Sequence, residues 1–445
     1  MAIDPASKIV RQEQILLEKE SRAKKNFIRR IVAEISTPSV YTIVRFFDIK
    51  QKIKSYFHKS QIFEYKSYKP GQKVALLAIW EYEELRHDVE FLIQELKNRD
   101  YYICIINTGK IDPLKLNDLC SVYISRFNYG RDFGSYKEGF LYLHRQGILD
   151  SASKVLMAND SIFFLRDNIA ACLTEFENSS LKVLGATENY EIWHHLGSFF
   201  IMFDNSVTKS KKFIKFWKNY KVTDLRTKNI RYGEIVLTEI VKKIVPDNQV
   251  GAQWSLSLFS KYISSHNELS NAIALANRGH LTEWKKLSWQ FVTKVSLQER
   301  IVSVTDFQSN PGLMLSQEKT DYKELSAINN FDGAVRIIQS LSDEKLSEKE
   351  VQELFLKAKG LFMTTAASGS QVHQNGNLLV SLGCPIVKLD LIYRGAFSYE
   401  DAEILFDNIE NSKDRDQLRE NLYRRAFGID ALRGWKRSAF AKGLI

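Results

Sequence analysis

The stretch "KVALLAIW" at residues 73–80 decides the fold, because it is an unbroken apolar run of strand length. A helical pattern follows at 83–99, and a second run, "YYICIIN" at 101–107, is rich in β-forming residues. Buried strands that alternate with helices are typical of a sheet covered on both faces. The pattern continues outward, with further strands at 121–127, 154–159, 182–187 and 196–204. We therefore predict an α/β fold with a doubly wound, mostly parallel sheet and with helical N-terminal and C-terminal additions.

Changes in pattern along the chain predict four parts. A Pro-Gly turn in "YKPGQK" closes a basic helical segment at residues 1–70. The alternating strands and helices form a core at 71–245, and a mixed, mainly helical region follows at 246–400. Residues 401–445 form a basic helical tail. At 445 residues, the chain exceeds the size at which a single core usually stops growing, so several parts are expected.

Composition indicates an ordinary globular protein of a reducing compartment. Hydrophobic residues make up 44% of the chain and charged residues 26%, which argues against disorder. The four cysteines are widely separated, with no C-x-x-C pair, so neither a disulfide framework nor a zinc ribbon is predicted. Charged residues interrupt the first hydrophobic runs before they reach the length of a signal core. We expect a cytoplasmic protein.

The net charge of +10 is concentrated at the two ends. Residues 1–60 carry a net +7 and residues 422–445 a net +5, which leaves about −2 for the rest. Apolar residues recur with helical spacing at 28–35 among arginines and lysines, which predicts an amphipathic basic helix. Such ends suit the anionic inner face of a membrane, and the alternative is that they are solvated helix faces. Nucleic-acid binding is disfavoured, since the body is nearly neutral and carries no recognised motif.

Two polar clusters stand where predicted strands end, and ligands in sheets of this kind bind at those ends. The first is "NYGRDFG" at 128–134. Gly130 and Gly134 permit close backbone approach, Arg131 offers a phosphate partner, and Asp132 can bind a sugar hydroxyl. The alternative for Asp132 is the capping of the following helix.

The second cluster is Asn159-Asp160-Ser161, directly after the strand at 154–159. Its oxygens suit a hard cation such as Mg²⁺ or Mn²⁺, which commonly bridges to substrate phosphates. Helix capping is again the alternative. Neither a G-x-G-x-x-G fingerprint nor a P-loop occurs, and no G-x-S-x-G sequence supports a hydrolytic triad.

Glu234, within "RYGEIVLTE" at 231–239, follows a turn and precedes an apolar helix. A carboxylate at such a place can face a cleft as a general base. The alternative is an ordinary acidic residue in a first helical turn.

Five stretches taken together resemble the successive motifs of the rhamnan synthesis protein F family. These bacterial glycosyltransferases build rhamnose-containing cell-surface polysaccharides. The resemblance covers about 73–240 and 372–395. The stretches are "RFNYGRDFGSYKEG", "VLMANDSIFF", "HHLGSFFIMFDNSV", "YGEIVL" and "LGCPIVKLDLI".

The resemblance implies a GT-A-like fold whose Asp-x-Asp motif falls at Asn159-Asp160-Ser161, so that Asp160 would hold Mg²⁺ or Mn²⁺ on the donor diphosphate. It implies a nucleotide-sugar donor such as dTDP-rhamnose, and a lipid-linked glycan acceptor at the inner face of the cytoplasmic membrane. The residues expected to bind the donor are Asn107, Thr108, Asn128, Gly130, Arg131, Asp132, Gly134, Asn159, Asp160 and Ser161.

Within that family frame, the chain is expected to be an inverting rhamnosyltransferase. Glu234 is the expected catalytic base, and Asp132 is held in reserve. The acceptor side is expected to include His195, Ser198 and Lys388. The alternative from a different class is a non-catalytic glycan- or lipid-binding component of a polysaccharide assembly system.

Overall fold

The computed structural model describes residues 38–276, 289, 292–293, 328–342, 345–425 and 427–445. The amphipathic helix predicted at 28–35 lies outside these residues. Among the helices that are described, none combines the length and the apolar character needed to cross a bilayer.

The core is a nine-stranded sheet with the order β1-β4-β3-β2-β5-β9-β7-β10, and β8 is added beside β7. A separate two-stranded sheet pairs β11 with β6. The strands are β1 (Gln61–Glu64), β2 (Val74–Ile79), β3 (Tyr102–Asn107), β4 (Val122–Ser125), β5 (Lys154–Asn159), β6 (Ile162–Phe164), β7 (Val183–Asn189), β8 (His195–Leu196), β9 (Phe200–Asp204), β10 (Val250–Trp254) and β11 (Ile386–Lys388).

Most neighbours in the large sheet run parallel. β2 pairs in parallel with both β3 and β5, β3 with β4, and β7 with β10. β9 is antiparallel to β5 and β7, and β1 is antiparallel to β4. The carboxyl ends of six strands therefore meet at one edge of the sheet.

Helices cover both faces of the sheet and build the remainder of the described chain. They are α1 (38–56), α2 (His87–Asn98), α3 (Arg131–Arg145), α4 (Ile148–Ser151), α5 (Arg166–Asn178), α6 (Asn205–Thr208), α7 (Lys211–Asn219), α8 (Arg226–Lys228), α9 (Val236–Lys242), α10 (Leu256–Tyr262), α11 (His266–Ala274), α12 (Phe331–Ser342), α13 (Glu348–Ala367), α14 (Gln371–Gln374), α15 (Gly376–Ser381), α16 (Leu391–Arg394), α17 (Tyr399–Asp407), α18 (Ser412–Tyr423), α19 (Gly428–Ala431) and α20 (Gly434–Ala441). A π-helical segment, Asn229–Ile235, precedes α9.

The sheet is buried on both sides, which explains the continuous apolar runs. Along β2, Leu77 faces a core with α2 and α5, whereas Leu76 faces a second core with α3 and α7. Trp217 of α7 is fully buried in that second core. The predicted α/β fold class, with a large and mostly parallel sheet between helical layers, is confirmed.

Three strands of the sheet differ in place or extent from the predicted pattern. β1 lies within the predicted N-terminal segment, because its backbone bonds the edge strand β4. β10 lies beyond residue 245, because it extends the sheet beside β7. The strand predicted at 196–204 is divided into β8 and β9 by a loop at 197–199.

The tail predicted at 401–445 is not a separate part. α17 and α18 share an apolar cluster with Phe163 of β6 and Val387 of β11. Ala439 and Leu444 share another with α1. α1 and the C-terminal residues therefore pack against each other and bury part of their apolar surface.

Candidate functional site

A cavity of about 1290 Å³ opens at the carboxyl edge of the sheet. Its walls come from the segments that follow β2, β4, β5 and β7, from the loop between β8 and β9, and from the π-helical segment. Residues 370–394 and the C-terminal helices close the remaining side. Parallel strands place their carboxyl ends together, so polar clusters far apart in sequence face one space.

A directed chain of hydrogen bonds crosses one wall. Lys388 donates from Nζ to Ser161 Oγ at 2.6 Å, and that hydroxyl donates to Asn159 Oδ1 at 2.5 Å. Asn159 Nδ2 in turn donates to Asp132 Oδ2 at 2.9 Å. Burial raises the pKa of Asp132, and the charges of Lys388 and Arg131 offset this only in part. The Asn159–Asp132 bond thus joins the two predicted clusters into one bonded unit, and Lys388 of β11 extends it.

The loop after β5 is fastened by a buried ion pair. Arg86 bonds both carboxylate oxygens of Asp88, which is fully buried, and also donates to the main-chain oxygen of Asp160 at 3.0 Å and to that of Ile162 at 2.7 Å. Asp88 Oδ2 accepts from the Phe164 amide as well. This arrangement fixes the position of Asp160, because a planar guanidinium donates in set directions.

Asp160 lies beside a second carboxyl group. Its Oδ2 accepts from the Trp80 amide at 2.6 Å, and burial raises its pKa to about 6. Burial raises the pKa of Glu81 to about 7, although the cation of Arg86 opposes the shift. The charge of Asp160 also raises the pKa of Glu81.

The start of α3 is strained. Gly130 has φ +91° and Arg131 has φ +50°, and a side chain with a Cβ rarely adopts such values. Asp224 holds this turn, because its Oδ1 accepts from the Gly130 amide at 2.6 Å and its main-chain oxygen accepts from Arg131 Nε at 2.8 Å. Asp48 of α1 supports the Asp224 loop through the Asp224 amide at 2.7 Å. Strain that is held in this manner is typical of functional sites.

Glu234, which also lines the cavity, contacts two polar side chains. Its Oε1 accepts from Ser198 Oγ at 2.7 Å, and its Oε2 lies 3.4 Å from His195 Nε2. His195 Nδ1 donates to the Trp193 carbonyl at 2.7 Å. Burial favours the neutral form of Glu234. The bonds to His195 and Ser198 and the charge of Lys388 nevertheless lower the pKa of Glu234 overall. Burial likewise opposes the charge of His195, but Glu234 raises its pKa overall.

The opposite wall is basic. Asp390 accepts from Arg394 Nε at 3.1 Å and lies 2.9 Å from His373 Nε2. Burial disfavours its charge, but His373, Lys388 and Arg394 together lower its pKa. The other cationic residues that line this wall and its margins are Arg131, Arg226, Arg424, Arg425 and Lys442. The basic C-terminal residues therefore face the cavity in part.

The cavity brings most of the predicted site residues together. Those that line it are Thr108, Asn128, Arg131, Asp132, Asp160, Ser161, His195, Ser198, Glu234 and Lys388. Asn159 lies behind the wall and orients Asp132, while Gly130 and Gly134 shape the turn.

Asn107, which was also predicted to bind the donor, is fully buried and is not among the residues that line the cavity. It holds the loop after β2 by accepting from the Glu81 amide and donating to the Glu81 carbonyl.

Sequence reasoning missed Glu81, Arg86, Arg226 and Arg394. Glu81 had a usable signal, since it closely follows a buried strand in a sheet whose strand ends form the site. Arg226 and Arg394 had none, because their place at the cavity depends on how residues 370–445 pack.

The described residues include no group of three or more His, Cys, Asp or Glu side chains that could hold a metal ion. Mg²⁺ is commonly bound by one or two carboxylates together with substrate phosphates. Asp160 fits that role as a single protein ligand, since only its Oδ2 accepts a bond from the Trp80 amide. Asp160 would then hold the cation only together with a phosphate-bearing substrate.

Comparison with known proteins confirms the family resemblance. Residues 102–259 match the family model of rhamnan synthesis protein F. An uncharacterised protein of Sinorhizobium fredii, y4gN, is 26% identical over 37% of this chain and 45% of its own length. Virulence protein VirA of Vibrio anguillarum is 29% identical over 32% of this chain and 46% of its own length. The chain thus spans about half the length of the curated relatives that it matches.

Among solved structures, a mannosyltransferase from Pyrobaculum calidifontis in complex with GDP-Man and Mn²⁺ matches 76% of this chain and 98% of its own. The sequence identity is 10% and the TM-score is 0.24. A superposition with so low a score carries no argument about activity.

Proposed function

We propose that the protein is a glycosyltransferase that moves a sugar from a nucleotide-sugar donor to an acceptor hydroxyl. The observation that carries the proposal is the single cavity in which Asp132, Asp160 and Lys388 face the Glu234–His195 pair. The family match over residues 102–259 supports it. We further propose that the transferred sugar is rhamnose or a related deoxysugar, from a donor such as dTDP-rhamnose. The proposed acceptor is a growing lipid-linked cell-surface polysaccharide.

Glu234 is the proposed base. Its lowered pKa keeps it ionised at neutral pH, so that it can accept the proton of the attacking hydroxyl. Ser198 and His195 hold its two oxygens in place. Attack by a hydroxyl so activated inverts the sugar carbon, because the leaving group departs from the opposite face.

The leaving diphosphate needs its charge neutralised as the bond breaks. Lys388 and Arg131 line the cavity and can supply positive charge to it. When bound, Mg²⁺ or Mn²⁺ would add a Lewis acid at the same oxygens, with Asp160 as its protein ligand. Asp132, bonded to Asn159, is proposed to bind a sugar hydroxyl of the donor and stays the reserve base.

The direct test is donor turnover. The protein is incubated with dTDP-rhamnose and other nucleotide-sugars, with Mn²⁺ or Mg²⁺, and the released nucleoside diphosphate is measured. Release by the wild type and its loss in Asp160→Ala is the expected result. No release with any donor, combined with retained binding to glycan or lipid, would favour a non-catalytic component of polysaccharide assembly.

We also propose peripheral attachment to the inner face of the cell membrane through α1. Large apolar side chains of and beside this helix are exposed, including Phe46 at 64%, Tyr56 at 73% and Phe57 at 82%. Lys50, Lys52 and Lys54 lie between them in the sequence. An apolar face flanked by lysines matches the chemistry of anionic lipid surfaces.

Vesicle sedimentation tests the attachment. Vesicles with anionic lipid should retain the wild type more strongly than neutral vesicles, and Tyr56→Ser with Phe57→Ser should reduce retention severalfold. Leu114→Ser is the matched control, because Leu114 is 75% exposed outside α1. Equal loss in the control variant, or unchanged retention in the double variant, would refute a role for this helix.

A further inference from the structure

Three arginines from separate parts of the chain line the same cavity: Arg131 at the start of α3, Arg226 at the start of α8, and Arg394 at the end of α16. They are close enough to repel one another. Burial lowers the pKa of Arg226, and the charge of Arg394 lowers it further. Like charges are seldom gathered in a partly buried place unless an anion joins them.

Asp390, Glu234 and Glu191 favour the charge of Arg226 from a distance, but none of them bonds its guanidinium in the described part of the chain. Its main-chain amide donates to the Leu444 carbonyl at 3.2 Å, which fixes the backbone. Within the described part of the chain, no hydrogen bond or ion pair is made by its guanidinium, although the residue is half-buried. A guanidinium has five donors, so one that lines a cavity without a bonded partner is available to a ligand.

The other two arginines are oriented, with donors left over. Arg394 donates from Nε to Asp390 at 3.1 Å and from Nη1 to the main-chain oxygen of Ile445 at 2.9 Å. Its guanidinium also lies 5.0 Å from the ring centre of Phe440. Arg131 gives Nε to the main-chain oxygen of Asp224. Each therefore keeps further N–H groups for a ligand while its stem is held.

We propose that Arg131, Arg226 and Arg394 form an anion subsite that binds a phosphoryl or pyrophosphoryl group of a substrate. The proposal rests on the proposed function, because it assigns the subsite to a substrate of that transfer. Guanidinium forks match the oxygens of a phosphate in pairs. Asp390 is shared with His373, and none of the other nearby carboxylates in the described part of the chain forms an ion pair with the Arg226 guanidinium.

The size of the cavity leaves room for such a subsite. Ligand pockets usually measure about 300–1,000 Å³, and this cavity measures about 1290 Å³. The phosphoryl group could belong to the nucleoside diphosphate of the donor or to a phosphorylated acceptor. Both sources present the same oxygens to the arginines.

Binding of inorganic pyrophosphate tests the subsite without any sugar transfer. Titration calorimetry is performed on the full chain in buffer with EDTA, so that no metal bridges pyrophosphate to Asp160. Arg226→Gln should weaken binding about tenfold or more, since a hydrogen-bonded charge is removed. Arg226→Lys should recover part of the affinity, because it restores the charge without the planar fork.

Arg231→Gln is the matched control. Arg231 lies in the neighbouring π-helical segment, is exposed, and is absent from the cavity wall. The Arg231→Gln variant should bind pyrophosphate as tightly as the wild type does. The proposal is overturned if the wild type does not bind pyrophosphate, or if Arg226→Gln binds it as tightly as the wild type.

Titration with dTDP, UDP and GDP then identifies the source. If Arg226→Gln weakens a nucleoside diphosphate in the same proportion as pyrophosphate, the subsite serves the donor. If only pyrophosphate is weakened, the subsite serves a phosphorylated acceptor. Failure of sugar transfer with intact pyrophosphate binding would refute the transferase while leaving the subsite, so the two proposals fail separately.

Discussion

The cavity has two walls that differ in charge and in origin. The sheet wall carries Glu81, Asp132 and Asp160, whose pKa values are all raised by burial. The far wall carries Arg226 and Arg394, which come from outside the sheet strands. The sheet wall follows directly from strand order, whereas the far wall depends on packing across long separations. A substrate between them would contact carboxyl groups with raised pKa values on one side and permanent cations on the other.

The largest effect is expected at Glu234, which stands between the walls. Glu234→Gln keeps the shape and removes the proton acceptor, so donor-dependent turnover should fall about 10²- to 10⁴-fold. Initial rates of nucleoside diphosphate release measure it. Glu239→Gln, an exposed change in the following helix, should keep the wild-type rate. A variant at Glu234 that keeps most of its activity would move the role of base to Asp132.

A large loss of stability is expected where the sheet wall is fastened. Asp88→Asn removes the bidentate anion of the largely buried Arg86 guanidinium and leaves only Glu81 at 3.7 Å, and breaking such a pair typically costs about 3–5 kcal/mol in the free energy of unfolding. Urea unfolding measures the change. Glu90→Gln on the exposed side of the same helix should change stability by less than about 0.5 kcal/mol. Similar small effects for both would mean that the pair does not hold this wall.

A moderate loss is expected at the turn that joins the walls. A Cβ on Gly130 would lie 1.9 Å from Val222 Cγ1, and its φ of +91° disfavours any side chain. Gly130→Ala should therefore lower the free energy of unfolding by about 1–3 kcal/mol. Gly71→Ala is the control for positive φ alone, since it has φ +88° and no atom within 4 Å of an added Cβ. Equal losses in both variants would show that contact with Val222 is unimportant.

The smallest effect is a pH dependence of the sheet wall. The folded pKa of Glu81, about 7, exceeds its ordinary value of 4.5, so the native state binds the proton more tightly. The resulting stabilisation is present below pH 4.5 and is lost as pH rises through 7. Glu81→Gln should reduce this fall by about 1–2 kcal/mol. Thermal unfolding from pH 4.5 to 8 in metal-free buffer measures this change in stability. The exposed Glu84→Gln is the control. If stability falls with pH in Glu81→Gln as it does in the wild type, the pKa of Glu81 is not raised.

Much of the fold was predictable because buried strands show themselves as apolar runs. The strand predicted at 154–159 was found with those bounds. The edges were harder to predict. β1 is largely exposed, so its four residues lack the apolar run that marks a buried strand.

Part of the site was also predictable from the sequence. Asp132 and Asp160 follow strands of a sheet whose ligand-binding edge is known from topology, so their convergence was expected. The place of Lys388 among the candidates came from the family resemblance, and its bond to Ser161 spans 227 residues of sequence. No local pattern could have revealed that bond, because periodicity reports on neighbours within one element.

By itself, the sequence determined the α/β class, the order of the central elements and the strand ends that carry polar residues. These features are local, since apolar periodicity and turn residues act within a few positions. Only the tertiary structure decided which carboxyl groups have raised pKa values and that Glu234 is paired with His195 and Ser198. It also decided that Arg226 and Arg394 face the same cavity as Asp160. Burial and charge proximity are set by packing between distant segments, and that packing exists only in the folded chain.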